Sequence, residues 1–357
     1  MDIFIALFIM TVLYRLKIKK PGKQFADDYF SPGQCRALRG IFAVVVVLHH
    51  ISNITEGGFL FDRLYHFGVL GTAGFFIISG YGLTVQLKTK REAYLKGFIP
   101  KRLGVIVIPY VIFFVIYYLY EHFANGCTIQ KALISLYNGD PIVKNSWYIL
   151  AIIYLYIVYY INAKLFFTKN KTVLFMIGNL TGVIIYMLMC RRLHYGMWWY
   201  NTAPCFWAGV VLSVCEKKIL KALKKHYTLP LIINLALIAA LYAAKASTKR
   251  GSGINYFITL FFSFAMAVFI PLICMKVDFS GNTLMNKIGV FSLELYLLHG
   301  LIIEIVQKIS ILNTDEPVFT LSVLVISIPA AAVIHIPIEK LCSLYKNKLG
   351  ACRKKAV

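Results

Sequence analysis

The sequence predicts an all-α, polytopic transmembrane helical bundle of about ten spans plus a short N-terminal apolar helix. Three observations carry that prediction. Hydrophobic residues make up 59% of the chain and charged residues only 15%, with a mean hydropathy of +0.71, far more apolar than a soluble domain. Apolar runs long enough to cross a hydrocarbon core recur from end to end, joined by short polar segments. Lys and Arg are sorted onto alternate joints, as expected of cytoplasmic and external loops.

In chain order, residues 1–14 are apolar but short for a span, and their positive charge follows rather than precedes them, unlike a signal peptide. They read as an N-terminal anchor or half-buried helix. Spans are then expected at 38–54, 64–87, 103–120, 147–166, 173–190, 197–214, 228–244, 254–275, 288–308 and 318–338. The domain layout is an apolar helix with a basic cytoplasmic linker over 1–35, a single ten-span membrane domain over 36–340, and a basic cytoplasmic tail over 341–357.

The formal charge of +23 does not point to nucleic acid, because no separate basic domain exists to hold it. If the segment before residue 38 is cytoplasmic, 29 of the 38 Lys and Arg fall inside and nine outside, which also places the C-terminus inside. Trp147, Tyr148, Trp198, Trp199 and Tyr200 sit where an interfacial aromatic belt belongs. None of the eight cysteines shows metal-ligand spacing, and only Cys127 and Cys190 are placed to meet on the outside. No metal is expected.

Ionisable side chains inside spans are expensive and mark candidate chemistry. The first long span carries Arg39, His49 and His50. Eleven residues separate Arg39 from His50, about three helical turns and about 16 Å of rise, so the two share a face, whereas His49 lies about 80° away. The ninth span carries Glu294, together with Ser292, Tyr296 and His299 on one i, i+4, i+7 stripe; the tenth carries His335 and Glu339. Each of these also has a plainer reading as a polar bridge between helices. Gly71, Gly74, Ser79, Gly80 and Gly82 in the second span permit close packing or a groove, and Lys101 and Arg102 open the third on the side of Arg39.

Taken in order, these segments resemble the bacterial acyltransferase-3 family of integral membrane O-acyltransferases, from about Arg36 to Lys340. The Arg-x10-His signature falls on Arg39 and His50. The Phe-Phe-x-x-Ser-Gly-Tyr segment falls on Phe75, Phe76, Ser79, Gly80 and Tyr81, and a basic pair ahead of proline on Lys101, Arg102 and Pro109. Trp147, Tyr148 and Leu150 match the Trp-aromatic-Leu start of a span. Ser292, Tyr296, Leu297 and His299 match the later Ser-to-His run, and Ile338, Glu339 and Lys340 the closing triplet. Two positions depart: many members have a further arginine where Ile106 stands and an acidic residue where Ala73 stands, so that Lys101, Arg36 or Arg91 would compensate. Some members carry an additional hydrolase-like domain, which is not expected here.

The resemblance implies transfer of an acyl group, by default acetyl, from acyl-CoA (acetyl-CoA) to a hydroxyl of a carbohydrate, cell-surface glycan or lipid-linked glycan, at a bacterial cytoplasmic membrane. Arg39, Lys101 and Arg102 would hold the donor phosphates by charge-assisted hydrogen bonds. His50, with an ordinary pKa near 6.5, would serve either as general base or as a transiently acylated nucleophile. Tyr296 and His299 would join it in catalysis, with Ser79, Tyr81, Trp147 and Ser292 toward the substrate. The rival expectation is a proton-coupled transporter or exporter of a small solute or glycolipid, in which His50, His299 and Glu294 relay protons. The Arg-to-His spacing, which proton coupling does not need, and the absence of visible inverted repeats weigh against it. Oligomeric state is not readable from the sequence.

Overall fold

A computed structural model describes residues 1–18, 28–249 and 251–354, with side chains through 349. Part of the expected basic linker (19–27), Arg250 and the last three residues of the tail therefore lie outside the described residues. The chain is helical almost throughout: α1 (Asp2–Leu13), α2 (Pro32–Ser52), α3 (Leu64–Leu95), α4 (Phe98–Asn125), α5 (Ile129–Tyr137), α6 (Trp147–Asn162), α7 (Thr172–Arg192), α8 (Pro204–Lys225), α9 (Thr228–Ser247), α10 (Gly253–Cys274), α11 (Thr283–Val290), α12 (Ser292–Lys308) and α13 (Glu316–Lys354). Strand β1 (Lys17–Ile18) pairs antiparallel with β2 (Val277–Asp278).

Among the described residues, nine of the ten expected spans fall on helices, or on one bent helix pair, long and apolar enough to cross a membrane; the sixth does not. Among the described residues, eight helices are long and apolar enough to cross a membrane. The expected ninth span is α11 and α12 together, bent by 77° between them. The expected sixth is α8, which starts at Pro204 rather than 197 because a 3-10 turn, Met197–Trp199, precedes it, and which ends in a run of lysines. Helix α1, at 12 residues and thus about 18 Å, is shorter than a hydrocarbon core. Two elements were not foreseen. Helix α5 is a short amphipathic segment capped by Thr128, whose hydroxyl accepts from the Lys131 N–H at 3.3 Å. Helix α3 runs eight residues past its expected end, with a break at Arg91 (φ 44°, ψ −129°).

The chain divides into two compact units. The first comprises Met1–Val85 and Tyr200–Ser292. In it α2 starts sharply: Ser31 accepts from the Gln34 N–H at 3.2 Å, and Pro32 occupies the first turn. From Gly40 to Ser52 every α2 residue is buried except the two histidines. Helices α2 and α11 touch backbone to backbone, because a Cβ at Gly40 would collide with the Met285 carbonyl and one at Gly289 with the Arg36 carbonyl. The buried Gln34 side chain clamps the adjacent strand, donating to the Val277 carbonyl at 2.8 Å and accepting from the Phe279 N–H at 2.7 Å. Helix α1 is tied at both ends, by Asp2 to the turn at 59–61 and by Asn282, which donates to the Thr11 carbonyl at 2.6 Å. Its Ile3, Leu7 and Met10 stay exposed, as lipid-facing residues do.

The second unit comprises Gln86–Trp199 and Leu293–Val357. Here α4 packs on α6 and α13, and α6 packs on α7. Phe98 stacks on Tyr160 (5.6 Å, 14°) and on Tyr159 (6.0 Å, 24°), and Phe175 meets Tyr159 edge-on at 5.4 Å. Cys127 and Cys190 are both free thiols, so the one cysteine pair that the sequence left open is not a disulfide.

Candidate active site

Within the first unit, α2 is one uninterrupted helix from Pro32 to Ser52, and it fixes Arg39 and His50 on a rigid element eleven residues apart. Arg39 is exposed near its start, while His50 is half-buried near its end. Between them the helix is lined by Ile41, Phe42, Ala43, Val44, Val45, Val46, Val47 and Leu48, all buried. These eight consecutive residues go round the whole helix, so between its two polar ends α2 is packed on every side.

The two adjacent histidines have different surroundings. The His49 ring N–H at Nδ1 donates to the Leu64 carbonyl at 3.0 Å, which leaves Nε2 to accept from the Asn53 amide at 3.4 Å. Its ring also occupies the space that a side chain at position 68 would need, so Gly68 is required for α3 to pass. The two imidazoles lie 5.0 Å apart at 59°. His49 thus fastens α2 to α3.

Tyr81 and Ser292 are spoken for within the same unit. The Tyr81 hydroxyl donates to Glu216 Oε1 at 2.5 Å, and the Tyr29 hydroxyl donates to the same oxygen at 3.0 Å. Burial, with the Tyr81 and Glu216 oxygens close by, holds the Tyr29 phenol far above its usual range. Glu216 went unnoticed in the sequence because it opens a lysine-rich segment that topology already explained. Ser292 donates to the Gly289 carbonyl at 3.2 Å across the bend between α11 and α12. Ser79 is half-buried on α3.

The second unit holds the other candidates. Lys101 is exposed in the first turn of α4, and the Arg102 guanidinium lies 5.3 Å over the Tyr94 ring. Tyr296 and His299 share a face of α12, as their spacing predicts, with ring centroids 5.9 Å apart. Both meet one residue that sequence reasoning missed. Asn145, with φ of 61°, accepts from the Tyr296 hydroxyl through its carbonyl, and its side-chain amide donates to His299 Nε2 at 3.3 Å. His299 Nδ1 in turn donates to the Leu295 carbonyl at 3.2 Å. The available signal was an asparagine, the residue most at ease with positive φ, in the polar joint two positions ahead of Trp147. Tyr148 completes the cluster, 5.6 Å from Tyr296, and Trp147 is buried beside it.

Glu294 and His299 have separate partners. Glu294 accepts from His335 Nδ1 at 3.0 Å, and His335 Nε2 lies 3.7 Å from Glu339. Among the described residues no group of three or more His, Cys, Asp or Glu side chains could hold a metal ion.

A family model described as an acyltransferase domain matches residues 36–336, most of the chain. The chain belongs to the acyltransferase-3 family. This acyltransferase-3 protein is therefore a multi-pass membrane acyltransferase, and transport is not the favoured reading. No curated protein and no solved structure matches it.

Proposed function

We propose that this acyltransferase moves an acyl group, in the simplest case acetyl, from acyl-CoA to a hydroxyl of a carbohydrate or lipid-linked glycan. The observation that carries the reading is α2 itself, with an exposed Arg39, an apolar shaft and His50 on one continuous helix. Arg39 would bind the donor phosphates through charge-assisted hydrogen bonds, and the roughly 16 Å rise suits the length of a pantetheine arm. With the topology expected from the Lys and Arg distribution, Arg39 stands at the cytoplasmic face, where acyl-CoA is available.

His50 would take the proton of the acceptor hydroxyl as its oxygen attacks the thioester carbonyl. The carbon–sulfur bond breaks, and His50 returns the proton to the departing thiolate, leaving an ester and free thiol. The family resemblance extends phosphate binding to Lys101 and Arg102, catalysis to Tyr296 and His299, and substrate contact to Ser79, Tyr81, Trp147 and Ser292. For Tyr296 and His299 the hydrogen bonds to Asn145 favour a positioning role over proton transfer.

Equilibrium binding of acetyl-CoA to the purified protein tests the donor half. Arg39→Ala should weaken it about tenfold or more, the effect of losing a hydrogen bond to a charged group. Unchanged affinity would remove Arg39 from the donor site.

A further inference from the structure

The first unit carries a second cluster of cationic groups, on the far side of α3 from His49. Leu64 and Gly68 meet His49, whereas His66, about half a turn round the helix, and Phe67, about a quarter turn round it, meet α9 and α10. Lys245 lies in the last turn of α9. Asn255 of α10 fixes that turn, its side-chain amide donating to the Lys245 carbonyl at 3.3 Å and to Thr248 Oγ1 at 2.8 Å.

A lysine at a span end ordinarily reaches outward to headgroups and water. Lys245 reaches inward. Its ammonium donates to the His66 carbonyl at 2.8 Å and stands 5.4 Å over the ring of Phe262, which is fully buried. Arg63 approaches from the turn before α3, donating to the Tyr242 hydroxyl at 3.4 Å. Tyr242 stacks on Phe67 at 5.5 Å and meets the His66 ring edge-on, also at 5.5 Å. His66 Nδ1 is buried and has no hydrogen-bond partner. Among the described residues, no carboxylate pairs with Lys245 or Arg63.

An inward-turned ammonium without a counter-charge and a buried ring nitrogen without a partner are costly at the end of a membrane span unless something anionic joins them, and the exposed Arg63 guanidinium lies close by. We propose that Lys245, Arg63 and His66 form a binding site for a phosphate group. A phosphate brings one negative charge as a diester and up to two as a monoester or free ion, with several accepting oxygens arranged to meet the ammonium, the guanidinium and a proton on His66 Nδ1 at once. Tyr242, Phe67 and Phe262 supply an apolar surround that keeps competing water away. The phosphate could come from an anionic phospholipid headgroup or from a soluble phosphate, and the chemistry of recognition is the same.

The test uses the purified full chain in a neutral detergent, titrated by calorimetry with dihexanoyl phosphatidylglycerol in one arm and inorganic phosphate in the other. Saturable binding in at least one arm is expected, weakened about tenfold or more in Lys245→Met and in Arg63→Gln, and unchanged in Lys249→Gln. Binding of the lipid alone assigns a headgroup; binding of inorganic phosphate assigns a soluble ligand. Arg63 is exposed, so Arg63→Gln reports even if Lys245→Met fails to fold. Saturable binding in neither arm, or equal binding by wild type and Arg63→Gln, would overturn the proposal.

Discussion

His49 donates through Nδ1 to the carbonyl of Leu64 at 3.0 Å, and this contact makes the two neighbouring histidines of α2 inequivalent. A ring that fastens one helix to the next, with its other nitrogen taken by Asn53, is held for packing. His49→Ala should therefore destabilise the protein, by about 1–3 kcal/mol for the carbonyl left without its donor and more for the emptied space against Gly68. Once folded, the variant should keep substantial transfer activity. Thermal melting and turnover measured on the same preparation check both halves. A variant as stable as wild type but inactive would reverse the assignment.

Asn145 joins a positive-φ backbone to a bond with a buried imidazole, and two substitutions separate those roles. Asn145→Gly keeps the backbone at ease and loses only the bond to His299, at a cost of about 1–3 kcal/mol. Asn145→Ala loses the bond and also forces a Cβ into the left-handed region, adding about 1 kcal/mol or more. Alanine should accordingly melt below glycine. The reverse order would mean that the turn tolerates a Cβ at this positive φ.

Asp2 gives a pH signature outside the membrane-spanning segments. Its carboxylate accepts from the backbone N–H groups of Phe61 and Leu60, each at 2.9 Å, and of Phe59 at 3.0 Å. The Phe61 bond foremost, with the other two, holds its pKa below the ordinary 3.8. Because the folded value is depressed, the contribution is complete above the unfolded pKa and disappears as pH falls through the folded one. The gap in melting temperature between wild type and Asp2→Asn should be constant from neutral pH down to about pH 5 and close only in stronger acid. A gap that closes near neutrality would contradict the assignment to Asp2.

Span positions were legible because a hydrocarbon core demands long apolar runs, and α2, α4, α6, α7, α9, α10 and α13 follow directly from that demand. The bend between α11 and α12 was not, since the apolar run continues through Phe291 without a proline, and a single glycine, Gly289, reads equally well as a close helix contact. Helical arithmetic separated His50 from His49 on one face, and spacing placed Tyr296 beside His299, because both are local relations. What His49, His299 and Tyr81 actually touch depends on Leu64, Asn145 and Glu216, which come from other segments of the chain. No periodicity within one helix encodes such long-range contacts. The cluster of Lys245, Arg63 and His66 was hidden for the same reason, its cations having been assigned to loop topology.

The central claim is that His50 carries out the chemistry, and turnover of acetyl-CoA by the purified protein measures it most directly. Thioester cleavage would be followed for wild type, His50→Ala and His49→Ala in the same membrane mimetic, with folding checked by melting. The account predicts a fall of about a hundredfold or more in His50→Ala, the scale of a lost general base, while His49→Ala remains active. Wild-type turnover in a folded His50→Ala protein would contradict it.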